Sequence, residues 1–219
     1  MRQPQTSILR PNAPEQKDSP DGADYRINLI TVPSCDEHNS AKSSHDEYLL
    51  YVLTGSYSSS GLGLAHFSSK VRRAFERAPS NASNFVRRSE PILIKRHADD
   101  EWEDGAQIVV EADHLDLVLG NCARALYFHE TAQKFSGPIR VATAFTMYTQ
   151  PEVQAKITSG VAAAKSYFDT YSARGANPKV FWYKFEEGKN TAIFFMCFYS
   201  GSEVLVQLHK RDLPIALAD

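Results

Sequence analysis

The chain of 219 residues is 42% hydrophobic and 23% charged, a globular composition that suffices for one sizeable core or two small ones. Its formal net charge of -2 excludes the global basic excess typical of nucleic-acid-binding proteins, so any such signal must be local. The mean hydropathy of -0.37 and the lack of a long apolar run argue against a membrane span. The three cysteines are scattered and the sequence shows no signal-peptide pattern, which predicts the reducing cytoplasm as the setting.

The first part of the chain is predicted to begin with a tail and to continue as short, mostly helical elements. Residues 1–24 carry four prolines and too little apolar surface to offset the entropy of ordering, which predicts a disordered tail. Residues 25–48 are predicted to form a short β-strand and then a helix. Residues 49–88 follow as a helical, basic connector, in which a Ser/Gly-rich loop at 54–63 precedes an amphipathic helix over 64–77.

Residues 89–219 are predicted to form one α+β domain with a largely antiparallel sheet of roughly five or six strands and two main helices. Short turns separate the last three strands, which makes neighbouring strands antiparallel. The predicted strands cover residues 91–96, 107–111, 139–145, 180–185, 192–198 and 204–208, and the predicted helices cover residues 115–135 and 152–171. The segment Arg174 to Pro178 is predicted to be a break between the second helix and the strands that follow it.

Charge is unevenly distributed between two neighbouring segments. Residues 70–96 contain eight basic and two acidic side chains, whereas residues 99–116 contain eight acidic side chains and no lysine or arginine. Arginines that share one helix surface suit a row of phosphates, so the basic segment predicts contact with a DNA backbone. The alternative is the solvated polar face that any amphipathic helix needs. The candidate DNA-contacting residues of this segment are Lys70, Arg72, Arg73 and Arg77.

A cysteine and a histidine three positions apart, Cys35 and His38, are the clearest candidate metal ligands in the sequence. A C-x-x-H spacing lets a thiolate and an imidazole reach one zinc ion from a tight turn, as half of a tetrahedral site. A structural zinc needs four protein ligands, and the chain contains no second C-x-x-C or C-x-x-H pair. A buried cysteine beside a solvated histidine is the alternative interpretation of the spacing alone.

The sequence around this pair, NLITVPSCDEHNSAKS, resembles the second half of an HNH endonuclease motif, the ββα-metal finger. The resemblance rests on an ordered set, Asn-Leu, Val-Pro, Cys-x-x-His-Asn and Lys-Ser, and it makes residues 25–48 a partial finger. It implies metal-dependent hydrolysis of phosphodiester bonds in DNA. In that family a structural Zn²⁺ holds the finger together, and Mg²⁺ or a similar divalent ion is catalytic.

The resemblance assigns roles to five residues by their positions. Asn28 corresponds to the middle asparagine, which holds the finger's loop through backbone hydrogen bonds. Cys35 and His38 correspond to the second zinc knuckle, and Asn39 corresponds to the helix residue that ligates the catalytic metal ion. Lys42 follows one turn later, within reach of a phosphate. The resemblance therefore implies catalytic roles for Asn28 and Asn39, metal binding by Cys35, His38 and Asn39, and DNA contact by Lys42.

One part of the family motif has no counterpart in this sequence. The family's general base is a histidine in the first half of the finger, which deprotonates the attacking water. Residues 1–27 contain no histidine and no cysteine. We therefore expect an HNH-type, endonuclease-like protein with a truncated finger that is inactive as it stands. The alternative is a non-catalytic α+β protein that binds a partner or nucleic acid and carries a vestigial finger.

The remaining histidines are weaker candidates for the base. His45 lies about two helical turns beyond the knuckle in a polar setting, which favours a solvated surface side chain. His114 follows Asp113, as in the family's Asp-His pair, but it comes after the finger, and a helix N-cap explains Asp113 better. His66 is expected to be partly packed, and His129 is expected to be a core histidine on the apolar stripe of its helix.

Overall fold

A computed structural model describes residues 5–8, 13–27, 29–34, 36–79, 89–95 and 101–210, with the backbone alone at residues 5–8, 34 and 36–44. The α-helices are α1 (Asp36–Thr54), α2 (Gly61–His66), α3 (Arg72–Arg77), α4 (Ala112–Thr131) and α5 (Pro151–Tyr167). A π-helical turn, Phe67–Val71, joins α2 to α3. The strands are β1 (Gln5–Ile8), β2 (Thr31–Ser34), β3 (Ser89–Lys95), β4 (Trp102–Ile108), β5 (Ile139–Thr143), β6 (Arg174–Asn177), β7 (Phe181–Glu187), β8 (Thr191–Phe198) and β9 (Ser202–His209).

The fold is a mixed α+β fold, as the sequence predicts, and its centre is an antiparallel sheet in the order β5-β9-β8-β7-β6. The middle strand β8, TAIFFMCF, is apolar along most of its length because both of its faces are covered. β9 alternates buried and half-buried residues, as the two-residue period of a strand requires. The chain turns from β8 into β9 at Tyr199 and Ser200, whose positive φ angles match the twist of the paired strands.

Helices cover both faces of this sheet. Leu53 of α1 and Leu126 of α4 belong to the same buried cluster as Phe194 of β8. On the opposite face, Val161 of α5 packs against Phe195, the next residue of the same strand. Full burial of such a side chain contributes roughly 1.5–3 kcal/mol, so these two layers hold the fold together. Within the described ranges, none of these helices combines the length and the apolar character needed to cross a membrane.

The segment 13–27 packs against the rest of the fold and so differs from the disordered tail expected for residues 1–24. Ala13 and Tyr25 are buried in the main core. The side-chain amide of Asn177, at the end of β6, donates a hydrogen bond of 2.8 Å to the backbone carbonyl oxygen of Tyr25. These contacts join parts of the chain that are far apart in sequence, and local composition carries no sign of them.

The strand predicted at residues 91–96 corresponds to β3, which pairs with β4 in a two-stranded hairpin that is separate from the central sheet. The second strand of the hairpin begins at Trp102, earlier than the strand predicted at residues 107–111, so part of the acidic segment 99–116 is paired with β3. The segment from Arg174, expected to be a break, forms the edge strand β6. α4 ends earlier than expected because Ala132 adopts a left-handed φ of 57°.

Candidate functional site

The segment with the candidate metal ligands follows a pair of antiparallel strands. β1 pairs with β2 along the whole length of both strands. α1 begins at Asp36, directly after the end of β2, so that His38 and Asn39 lie in the first turn of a long helix. The order of these elements, two antiparallel strands followed by a helix, is the order of a ββα unit.

The side-chain geometry of the partial finger lies outside the described residues. Asn28 and Cys35 are not among them, and the structure gives the backbone alone for His38, Asn39 and Lys42, all in α1. Where side chains are described, no three His, Cys, Asp or Glu residues form a group that could hold a metal ion. In chemical type a thiolate and an imidazole such as those of Cys35 and His38 fit zinc, and they would amount to two of its usual four ligands.

The predicted row of arginines is divided between the interior and the surface. Arg73 forms an ion pair of 2.5 Å with Asp18, whose side chain is 1% exposed. Arg72 pairs with Glu76 one turn along α3, and both of these side chains are largely exposed. Arg77 is exposed, and its Nε donates a hydrogen bond of 3.1 Å to the backbone carbonyl oxygen of Arg73. The fold therefore uses Arg73 to neutralise a buried carboxylate, and it leaves Arg72 and Arg77 at the surface.

Two histidines that sequence analysis treated separately meet where α1 packs against α4. The ring centroids of His45 and His114 lie 4.7 Å apart, and the rings are edge to face at 73°. Tyr48, on the next turn of α1, stacks on His114 with a centroid distance of 4.2 Å and an interplanar angle of 5°. The backbone N–H of Glu111 donates a hydrogen bond of 2.9 Å to the Tyr48 hydroxyl. His45 is thus half buried in a cluster of rings and differs from the solvated side chain expected from its polar neighbours.

The environment of this pair keeps nitrogen lone pairs available. Burial, and secondly the neighbouring His114, lower the pKa of His45 below its ordinary value, which favours the neutral ring. The Nε2 atom of His114 is buried and has no hydrogen-bond partner within the described part of the chain. A carboxylate oxygen of Glu111 lies 3.9 Å from the other ring nitrogen, Nδ1. Two imidazole rings in this arrangement are chemically suited to bind a divalent metal ion.

A third histidine, His66, lies in the interior at the end of α2. It is fully buried, more than expected, and its Nδ1 lies 2.9 Å from the hydroxyl oxygen of Tyr199, which is also fully buried. Burial lowers the pKa of His66 to about 4, so the ring is neutral at neutral pH. Lys70, a predicted DNA contact, is half buried in the next turn and lowers this pKa further. His129, expected in the core, is instead exposed on α4.

Comparisons with models of protein families, with curated proteins and with solved structures found no match to this chain. The functional proposals below therefore depend on the residues and the geometry already described.

Proposed function

We propose that this chain is an HNH-type, endonuclease-like protein that binds DNA and a divalent metal ion through its ββα unit and that does not hydrolyse DNA by itself. The observation that carries the proposal is the position of His38 and Asn39 in the first turn of a helix that directly follows two antiparallel strands. The resemblance assigns Asn39 to the finger's helix and His38 to the zinc knuckle before it. The arrangement of β1, β2 and α1 thus supports a finger-like unit, in addition to the support that the short sequence motif gives.

The proposed metal chemistry is that of half a zinc knuckle. Cys35 and His38 would hold Zn²⁺, which contributes to folding in such sites by fixing the ligand-bearing segments. Asn39 would face a Mg²⁺ ion or a similar divalent ion, which supplies Lewis-acid chemistry to the family's reaction. The proposed setting is the reducing cytoplasm, where a cysteine remains a free thiol and is available as a ligand.

The proposed lack of hydrolysis follows from the missing general base. The sequence has no histidine before His38. His45, the nearest later histidine in α1, is packed against the ring of His114 and does not offer an exposed base. Loss of a positioned general base lowers the rate of hydrolysis by about 10²–10⁴-fold. Binding of DNA needs no such base and is expected to persist.

The proposed DNA contacts begin at the exposed arginines of α3. The ion pair between Arg72 and Glu76 lies at the surface, where such a pair contributes about 0–1 kcal/mol, so a phosphate replaces the carboxylate at small cost. Arg77 follows on the same short helix and is exposed. Arg73 is excluded from this role because it is committed to Asp18. Lys42, one turn after Asn39 in α1, remains a proposed phosphate contact on the resemblance alone.

The experiment that tests this function measures DNA binding and DNA cleavage in parallel. Fluorescence anisotropy with a short labelled duplex, repeated over a series of salt concentrations, gives the affinity and its salt dependence. Arg72→Gln and Arg77→Gln are each expected to weaken binding and to reduce the slope of log K against log[salt] by about 1. Arg140→Gln, an exposed arginine on β5, is the control and is expected to change neither.

Cleavage is measured with supercoiled plasmid and Mg²⁺, and the plasmid is expected to remain intact. Nicking by the unmodified chain that Asn39→Ala abolishes would contradict the proposed inactivity. DNA binding that is equal in the unmodified chain and in both arginine variants would contradict the proposed contact surface.

A second candidate function is favoured by an exposed apolar surface on the β3–β4 hairpin. Leu93 and Trp102 lie on this hairpin and are 63% and 62% exposed, and Val109, just after it, is 61% exposed. Large apolar side chains on a small separate sheet are typical of protein interaction sites. The second candidate is therefore a non-catalytic protein that binds a partner and carries a vestigial finger. A zinc-free chain with no measurable DNA affinity would favour this candidate over the first.

A further inference from the structure

We propose that His45 and His114 form a site for a borderline divalent transition-metal ion, of the class of Zn²⁺ or Cu²⁺, which joins α1 to α4. The site is distinct from the partial knuckle of Cys35 and His38. His38 precedes His45 in α1 by about two helical turns, or roughly 10 Å along the helix axis, so one ion at His45 does not sit in the knuckle.

The rings of His45 and His114 are in direct contact. Imidazoles from two different helices lie with their centroids 4.7 Å apart and meet edge to face. In the described structure the Nε2 atom of His114 is buried and lacks a hydrogen-bond partner. Buried polar atoms in native proteins nearly always have a partner, so this nitrogen is open to water or to a metal ion. A metal ion beside His45 satisfies it.

Neighbouring side chains hold the ring of His114 in a fixed orientation. The Glu111 carboxylate lies 3.9 Å from Nδ1, beyond hydrogen-bond distance, and its negative charge favours the tautomer that carries the proton there. That tautomer leaves the lone pair on Nε2, where a metal ion can bind. Tyr48 fixes the plane of the ring by stacking, and its hydroxyl accepts the backbone N–H of Glu111 at the start of α4. The ring is therefore oriented before any ion binds.

The two imidazole donors determine which metal ion the site prefers. Neutral imidazole suits zinc, copper and nickel, and copper(II) binds most tightly in the usual order of divalent affinities. His45 contributes a half-buried ring from α1, which faces the ring of His114 on α4. Over the described residues no third His, Cys, Asp or Glu side chain completes a group of ligands. The site is thus a two-imidazole site with water in its remaining positions.

The test uses a background chain, which is the full chain with both Cys35→Ala and His38→Ala, so that the partial knuckle is removed. The probe is Cu²⁺ alone. Isothermal titration gives the affinity, and electron paramagnetic resonance counts the coupled nitrogen nuclei. One Cu²⁺ per chain with two coupled nitrogens is expected. His45→Gln and His114→Phe are each expected to lower the affinity at least tenfold and to remove one nitrogen. His114→Phe keeps a ring that stacks on Tyr48, and circular dichroism verifies that each variant is folded.

The matched control is His129→Gln, an exposed histidine on the same helix as His114, which is expected to leave both readouts unchanged. The proposal is overturned if the background chain, shown to be folded by circular dichroism, binds no Cu²⁺, or if its spectrum lacks two coupled nitrogens. It is also overturned if His129→Gln reduces the affinity as much as the other two variants. Because Cys35 and His38 are absent from the background, failure of this site leaves the proposed finger untouched.

Discussion

The buried histidine of α2 predicts a specific loss of stability in acid. His66 has a folded-state pKa of about 4, because of its burial, against an ordinary value of 6.5. Between these values the unfolded chain binds more protons than the folded chain, so the free energy of unfolding falls as the pH falls. The stabilisation that the neutral His66 ring provides is fully present above the unfolded-state pKa of 6.5, and it is lost as the pH falls towards the folded-state pKa of about 4. Integration gives a loss of about 2 kcal/mol between pH 7 and pH 5, and about 3 kcal/mol at pH 4.

The assay is urea unfolding at pH 7 and pH 5 for the unmodified chain and for His66→Gln. Glutamine does not titrate, and it retains an amide that hydrogen bonds to the Tyr199 hydroxyl. The unmodified chain is expected to lose about 2 kcal/mol more than His66→Gln over this pH step. His129→Gln, whose side chain is exposed, is expected to behave as the unmodified chain does. An equal loss in the unmodified chain and in His66→Gln would refute the reasoning.

Two further predictions concern close packing and internal charge, and both are measured as changes in the free energy of unfolding. Gly201→Ala is expected to destabilise the fold by more than about 3 kcal/mol, because the added Cβ would overlap the backbone carbonyl oxygen of Ser58. Gly160→Ala, with open space around it in α5, is expected to stabilise the fold by about 0.5–1 kcal/mol. Arg73→Ala is expected to lower the free energy of unfolding by about 1–3 kcal/mol, because it leaves the buried Asp18 carboxylate unpaired. Arg72→Ala breaks the exposed pair with Glu76 and is expected to lower it by less than about 1 kcal/mol. Equal effects within either pair of variants would contradict the corresponding packing or charge argument.

The central sheet was predictable because its strands carry local signals. β7, β8 and β9 coincide closely with the predicted strands at 180–185, 192–198 and 204–208, since each is a short apolar or alternating run bounded by turn residues. The docking of residues 13–27 was not predictable, because it depends on Asn177 and the buried core rather than on nearby residues. The edge strand β6 was missed because it is short and because Gly175 has a φ of 122° that resembles a turn.

The candidate site was predictable in its local part alone. The Cys-x-x-His spacing can be identified from neighbouring residues, and so can a helix close to His38 and Asn39. The contact between His45 and His114 joins two helices, and the polar neighbours of His45 indicate solvent rather than a ring cluster. In the same way, no sequence pattern shows that Arg73 pairs with Asp18 across the fold. Contacts of this kind arise from tertiary packing, which the periodicity of one helix does not contain.

X-ray absorption at the zinc K edge tests the proposed finger most directly. The chain, purified with zinc, is expected to show a first shell that contains sulfur at about 2.3 Å and nitrogen at about 2.0–2.1 Å. Burial raises the pKa of the Cys197 thiol to about 12, so that residue does not compete as a ligand. Cys35→Ala is expected to remove the sulfur shell, and Cys122→Ala is expected to retain it. A zinc shell without sulfur in the unmodified chain, or one that keeps its sulfur in Cys35→Ala, would contradict the account.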